Sequence, residues 1–358
     1  MASKAVVEGW LAELADLPTT SGLEEAVQGW VRGWARRRPD LRLTEDSGGN
    51  LLLRVKGRRR LDPVLAVAHM DHPGFVVTEI IGDEARFEFR GGVLPQYFVD
   101  ARVDFVTGAG RGGRVVEYDQ VDRTGLIALS GARPVPGDIA RWHFARRSAR
   151  PGYLAAPSCD DLAGCAAALA ALDRARKRAD LAHFGVLLTR AEEMGFVGAI
   201  HAAKAGDIPK KARLLSIETS RASPDAPLGE GPVIRVGDAS SVFDAELTNR
   251  ITTAVRESGL AHQRKLMSGG SCEATAFGAY GFRAAGLCLP LGNYHNMGNL
   301  DQVEKGSGAA VPMMEEVALG DFHGLVDLLL VAAEGIDRDW SLRERLDVVY
   351  AASRRVLG

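Results

Sequence analysis

Two amphipathic helical patterns open the chain. Between residues 5 and 38 the first places Val6, Trp10, Leu11 and Leu14 on one face, and the second places Val27, Trp30, Val31 and Trp34 on one face. Ser21 followed by Glu24, after the turn at Pro18–Gly22, has the form of a capping box for the second helix. The apolar runs 51–55 and 64–68 then predict short strands, the latter apolar enough for a sheet centre. From about 75 to 155 the pattern changes. Six short alternating runs, FVVTEII, ARFEFR, ARVDFVTG, GRVVEYD, LIALSG and DIARWHF, are parted by Gly, Asp or Pro turns. With no helical pattern among them, they predict a small antiparallel β-barrel.

Helix–strand alternation resumes after 160. Helices are expected at 161–177, from near Gly198, near 241–257, near 272–280 and, as the last, near 316–334. Strands are expected at 184–189, 213–218 and 284–289. The fold class is therefore α/β, a mixed central sheet flanked by helices with an inserted β-barrel. The expected division is a catalytic domain from 1–74 and 156–358, interrupted by a barrel domain at 75–155.

Composition narrows the classes. An apolar fraction of 46% with 25% charged residues is that of an ordinary globular protein, and 358 residues suit one large domain plus a smaller one. A formal net charge of −2 gives no long-range attraction to nucleic acid or anionic membranes. The clusters Arg36–Arg38 and Arg58–Arg60 read as solvated faces. No signal peptide pattern and no apolar stretch of bilayer length is present, and the four cysteines lack CxxC spacing. The expectation is a cytoplasmic protein with reduced thiols. Cys159, beside Asp160, reads as a space-filling residue rather than a thiolate ligand.

The chemistry sits where apolar runs end. His69 in VAHMD, Asp160 in SCDDLAG, Glu193 in RAEEMG, Glu218 in LLSIET and His295 in GNYHNMG each have a hydrophobic run leading into or around them. Parallel strands present residues at their carboxyl edge in this way. Three carboxylates and two imidazoles suit a pair of divalent, zinc-like ions, and Asp160 could bridge them with its two oxygens. Asp71 lies two residues from His69, where it could hold the imidazole's other nitrogen. Asp161 reads as a helix N-cap. Glu192 and Glu193 lie next to each other, so in an extended segment one could bind metal while the other acts as general base. His72, His143, His183, His201 and His323 read as surface or core histidines, and His262 as a substrate-binding candidate. The glycine-rich SGGSCEATAFGAYG could shape a pocket floor.

These motifs, in order, resemble the M42 family of dinuclear metallo-aminopeptidases, within the clan that includes the M20 and M28 peptidases. The likeness runs through LADLPTTSGLEEAV, AHMDHPGFVV, PVPGDIARWHF, SCDDLAG, EEMGFVGA, IET, LGEGPVIRVGD, AHQRKLMSGGSCEA and LPLGNYH. It implies that His69, Asp160 and Glu218 bind one metal and Asp160, Glu193 and His295 the other. Glu192 would be the catalytic base and Asp71 the orienter of His69. Zinc is the first expectation, with cobalt or manganese as alternatives. Small peptides would be the substrates, and a homo-oligomer, such as the family's dodecamer, the assembly.

Spacing agrees with that family. His69 and Asp160 are 91 positions apart, room for a β domain, whereas Glu218 and His295 are only 77 apart, too few for the lid of M20 enzymes. Three departures mark a divergent member. Glu218 stands where the family usually has aspartate, Leu162 where it has arginine, and Gly269–Ala274 replaces the usual GGTDA. Glu218 supports a second reading, an M20-type amidase, deacylase or carboxypeptidase. A non-catalytic scaffold is the alternative from another class.

Overall fold

The computed structural model describes residues 2–57, 61–108, 110–131, 133–144, 150–338 and 342–357. Helices α1 (Lys4–Leu14) and α2 (Glu25–Arg36) lead into strands β1 (Leu41–Glu45), β2 (Leu51–Val55) and β3 (Val64–His69). Strands β4 (Gly74–Ile81), β5 (Glu84–Arg90), β6 (Arg102–Phe105), β7 (Gly112–Asp119), β8 (Thr124–Leu129) and β9 (Ile139–Trp142) follow. Next come β10 (Tyr153–Ala156), α3 (Leu162–Ala175), β11 (Phe184–Thr189), α4 (Val197–Ala205), β12 (Arg213–Arg221), β13 (Val233–Gly237) and α5 (Ala245–Ser258). The chain continues through β14 (Gln263–Leu266), α6 (Glu273–Ala279), β15 (Arg283–Leu291), β16 (Met297–Gly298), α7 (Leu300–Glu304), β17 (Val311–Pro312) and β18 (Glu315–Ala318). It closes with α8 (Leu319–Gly335) and α9 (Leu342–Ser353).

The main sheet has the order β1-β2-β11-β3-β12-β15-β13-β14. Its four central strands, β11, β3, β12 and β15, are parallel, and β2 and β13 flank them antiparallel. Side chains alternate between the two faces of a strand. Val64, Ala66 and Ala68 of β3 thus pack with α1, α3 and α8, while Leu65 and Val67 pack with α4 and α6. Cover on both faces explains why this strand is apolar throughout rather than alternating.

The six runs between 75 and 144 form a closed barrel in the order β4-β5-β8-β7-β6-β9. Phe75 meets Phe87, Phe89, Phe98 and Trp142 edge-on at its centre, with ring centroids 4.6 to 5.9 Å apart. Such pairs prefer edge-to-face contact and dominate a small core. Met297, Leu300 and Val303, from the excursion between β15 and β18, pack into the same cluster. The barrel is thereby joined to the sheet by a segment far along the chain.

Several local expectations differ. Val7, not Val6, is buried on α1, and Val6 is exposed. The capping box does not form. Ser21 Oγ donates to Asp71 Oδ2 at 2.5 Å, and Glu24 accepts from Arg190 and the Ala191 N–H. Asp161 stands at the N-cap of α3 without capping it, and accepts instead from the Thr219 hydroxyl. Arg36 and Arg37 are exposed, but Arg38 lies over the rings of Trp34 and Trp10 and pairs with buried Asp173. Arg58–Arg60 lie outside the described residues. Helix α8 is not the last, since α9 follows it.

Candidate metal centre

The carboxyl ends of the central strands converge on one point. His69 is the last residue of β3, opposite Thr189 of β11, and Glu218 lies two residues beyond the Ser216–Val67 pair of β12 and β3. Glu192 and Glu193 follow β11 and His295 follows β15. Asp160 enters from the turn before α3. The expected extended placement of Glu192 and Glu193 is not what forms. They begin a 3₁₀ turn (Glu192–Met194) launched from Ala191 in the left-handed region, at φ 49°. His295 itself has φ 52°, flanked by Asn293 and Asn296 at φ 55° and 62°. Left-handed backbone at non-glycine residues is costly and persists where surrounding contacts hold it.

The structure brings all five candidates together as two overlapping groups, His69–Asp160–Glu218 and Asp160–Glu193–His295, with ligand atoms of each within 4.8 Å. His69 Nε2 lies 3.5 Å from Asp160 Oδ1 and 3.8 Å from Glu218 Oε1. His295 Nε2 lies 3.3 Å from Asp160 Oδ2 and 2.9 Å from Glu193 Oε1. Asp160 therefore faces one imidazole with each oxygen. Glu218, one methylene longer than the usual aspartate, reaches the same cluster.

The other nitrogen of each ring is already engaged. His69 Nδ1 donates to the Asp71 backbone oxygen at 3.2 Å, with the Asp71 carboxylate 3.4 Å away. His295 Nδ1 donates to the Gly92 carbonyl at 2.6 Å, a group that follows β5 of the barrel. A neutral ring that donates through Nδ1 presents Nε2 as an acceptor. Both Nε2 atoms then face carboxylate oxygens, which are acceptors too. His69 Nε2, both Asp160 oxygens, Glu193 Oε1 and Glu218 Oε2 are buried without a hydrogen-bond partner. Buried acceptors facing acceptors are costly unless positive charge, a proton or a metal ion, lies between them. The donor set of two imidazoles and three carboxylates suits divalent ions of zinc type.

Electrostatics gives the same answer. Burial disfavours a charged His69 and a charged His295, yet the surrounding carboxylates, Glu192 and Asp160 for the former and Glu193 and Asp160 for the latter, push both rings well above their ordinary range. The site is a trap for positive charge. Glu192 is buried, and burial first, then Glu218, raises its carboxyl well above the usual range. Its N–H and that of Glu193 donate to Asp71 Oδ1 and Oδ2 at 3.0 and 3.1 Å. Asp71 thus serves His69 and the Glu192–Glu193 turn together.

Beside Glu218 opens a cavity of about 630 Å³, lined on one side by Gly92–Leu94 of the barrel and on the other by Arg235 and Met267–Ser271. The glycine-rich segment does form part of a pocket wall. His262 is not part of that lining, and its Nδ1 donates to Leu260 O. Cys159 is buried, and burial pushes its thiol well up, as a space-filling residue requires.

Of three residues beside the site, the sequence reads His72 as a surface or core histidine and Ser21 as a helix cap, and it leaves Glu315 unmarked. His72 Nδ1 donates to Asp160 O at 2.7 Å, and its ring lies edge-on to His295. Glu315 accepts from the backbone of Asp160 and of His295. Ser21 secures Asp71. His72 carried a signal in its place one residue past Asp71, whereas Glu315 stands in an unremarkable MMEEVA run.

A sequence profile described as M42 glutamyl aminopeptidase matches residues 135–306. A protein of Acetivibrio thermocellus, provisionally named an aminopeptidase, is 25% identical over 275 residues, covering 70% of this chain and 80% of its own. Among solved structures, an aminopeptidase from the archaeon Desulfurococcus kamchatkensis superposes with a TM-score of 0.75 at 22% identity, over 94% of this chain and 96% of that one. The TET1 peptidase of Pyrococcus horikoshii, described as assembling into a tetrahedron or an octahedral shell, gives 0.72 at 23% identity over 91% and 99%. These two likenesses concern the fold. Together with the profile match and the paired acidic and imidazole groups, they make the chain similar to the M42 aminopeptidases, in fold throughout and in sequence over 135–306.

Proposed function

We propose that the chain removes residues from the free amino ends of small peptides with two divalent ions, zinc first among the candidates. The observation that carries this is the pair of ligand groups sharing Asp160, with orphaned acceptors facing one another beside buried Glu192. His69, Asp160 and Glu218 would hold one ion, and Asp160, Glu193 and His295 the other. When bound, such a pair acidifies water and polarises a carbonyl oxygen. Glu192, its carboxyl raised by burial and by Glu218, takes the proton of the attacking water and returns it to the leaving amine. Asp71 holds that base through two backbone N–H groups and orients His69. The sheet-based part, 1–74 and 156–358, acts as the catalytic domain and 75–155 as a barrel domain that supplies one cavity wall.

The chain is proposed to act in the cytoplasm as a homo-oligomer, in keeping with the assembly named for the Pyrococcus horikoshii relative. No described helix is long and apolar enough to cross a membrane. Glu218 favours one second reading, an amidase or deacylase on N-acylated substrates. Metal-stripped protein reloaded with zinc, cobalt or manganese and offered an unblocked peptide and its N-acetylated form separates the two. Release of amino-terminal residues from the unblocked peptide alone is expected. Cleavage only of the acetylated form would overturn the aminopeptidase reading.

A further inference from the structure

We infer that Glu315 is a positioning residue for the ligand frame, tying the bridging carboxylate to His295 through their backbones. This rests on the two-ion reading of the site. The Glu315 side chain is fully buried. Its Oε2 accepts from the N–H groups of Cys159 and Asp160 at 2.7 and 2.9 Å, and its Oε1 accepts from the N–H of His295 at 2.8 Å. One carboxylate thus spans two turns that are remote in sequence, each delivering a ligand. The His72 ring nitrogen Nδ1 lies 3.9 Å from Oε2.

Local structure places Glu315 there. Strand β18 pairs with β10 in a register that sets Glu315 opposite Ala156, just before the Asp160 turn. On its other side Glu316 exchanges two backbone hydrogen bonds with Gly292, just before the His295 turn. The excursion from Asn296 to Met314 leaves the site at His295 and returns to it at Glu315. In between, Met297, Leu300 and Val303 pack into the barrel core, and Tyr97 donates to Gly298 O at 2.6 Å.

The chemistry demands an acceptor-only group. Three N–H donors need both oxygens as acceptors, which an ionised carboxylate provides. Glutamine has a single acceptor oxygen and would turn an NH₂ towards N–H groups. Glu315→Gln therefore releases either the Asp160 side or the His295 side, and the left-handed backbone of His295 loses a restraint. Outer partners of metal ligands typically contribute about 10–100-fold in metal affinity.

The test is a zinc titration of metal-stripped wild type, Glu315→Gln and Glu316→Gln against a chromophoric chelator, with kcat and KM read at limiting and excess zinc. Glu316 is the control, since its side chain pairs with exposed Arg150 rather than with the backbone of either turn among the described residues. Two ions are expected on the wild type and on Glu316→Gln with matching affinities. On Glu315→Gln at least one ion should bind about 10–100-fold more weakly. Its kcat should fall at limiting zinc and recover in excess, with KM little changed. Wild-type affinities for both ions in Glu315→Gln would overturn the inference. Fewer than two ions on the wild type would instead overturn the two-ion reading on which it rests. Should Glu315→Gln lack a cooperative melt, Glu315→Asp, which keeps acceptor chemistry but shortens the reach, is scored by the same criteria.

Discussion

The two halves of the ligand cluster share Asp160 and the support of Asp71, yet they are built differently. His69 and Glu218 belong to adjacent parallel strands at the centre of the sheet, and His69 is oriented by Asp71 two residues away. Glu193 and His295 sit in turns beyond strand ends, one entered through left-handed Ala191 and the other itself left-handed. His295 is oriented by Gly92 of the barrel and its backbone is held by Glu315. The first half is built into the hydrogen-bonded sheet. The second is assembled from turns by contacts from three distant parts of the chain. Regular strands place a ligand by register alone, whereas a turn must be held, so the second half should yield first.

Four tests sharpen that contrast, from the largest expected effect to the smallest. Asp160→Asn removes the shared carboxylate and should empty both halves. Metal analysis after dialysis should find neither ion, with peptidase activity at background. Retention of both ions would show that Asp160 does not bridge. Glu192→Gln leaves the ligands in place, so metal content should stay at the wild-type value while kcat falls by about 10²–10⁴, the range for loss of a positioned base. Near-normal kcat would remove Glu192 from that role.

The third test compares the halves directly. Alanine at His69 opens a gap at the packed centre of the sheet, whereas alanine at His295 alters a turn. Both should lose an ion, but the thermal midpoint of the metal-free protein should drop more for His69→Ala. Equal drops, or a larger one for His295→Ala, would mean that the sheet-borne half is not the more deeply built one. Smallest is Tyr97→Phe, which removes the hydroxyl that bonds Gly298 O between the barrel and the excursion after His295. A loss of about 0.5–1.5 kcal/mol in denaturant unfolding is expected, with the sheet-borne ion held as in the wild type. Weakening of that ion by Tyr97→Phe would erase the distinction between the halves.

How much was legible follows the same line. Apolar runs ending in His69, Glu218 and Glu192–Glu193 could be read because a strand's carboxyl end is marked by where hydrophobicity stops. The barrel could be read from six alternating runs with turn residues between them. Ser21 could not, because a serine three residues before a glutamate has the same form whether it caps a helix or serves a distant aspartate. Arg38 read as solvated because nothing local shows that Trp10 and Trp34 stack beneath it and Asp173 awaits it. Glu315 carries no local mark at all. Its place exists only because a β-ladder sets Glu315 beside Ala156 and a single bridge sets its neighbour Glu316 beside Gly292.

The sequence by itself therefore determined the fold class, the run of strands that closes into the barrel, and which side chains are candidates to hold a divalent ion. Those follow from periodicity and from which side chains can hold a divalent ion. Only the tertiary structure decided how the ligands pair around Asp160, that a barrel carbonyl orients His295, and that Glu315 joins the two turns. Each of these is a contact between segments remote along the chain, set by sheet register and packing, which hydrophobic pattern constrains in kind but not in partner.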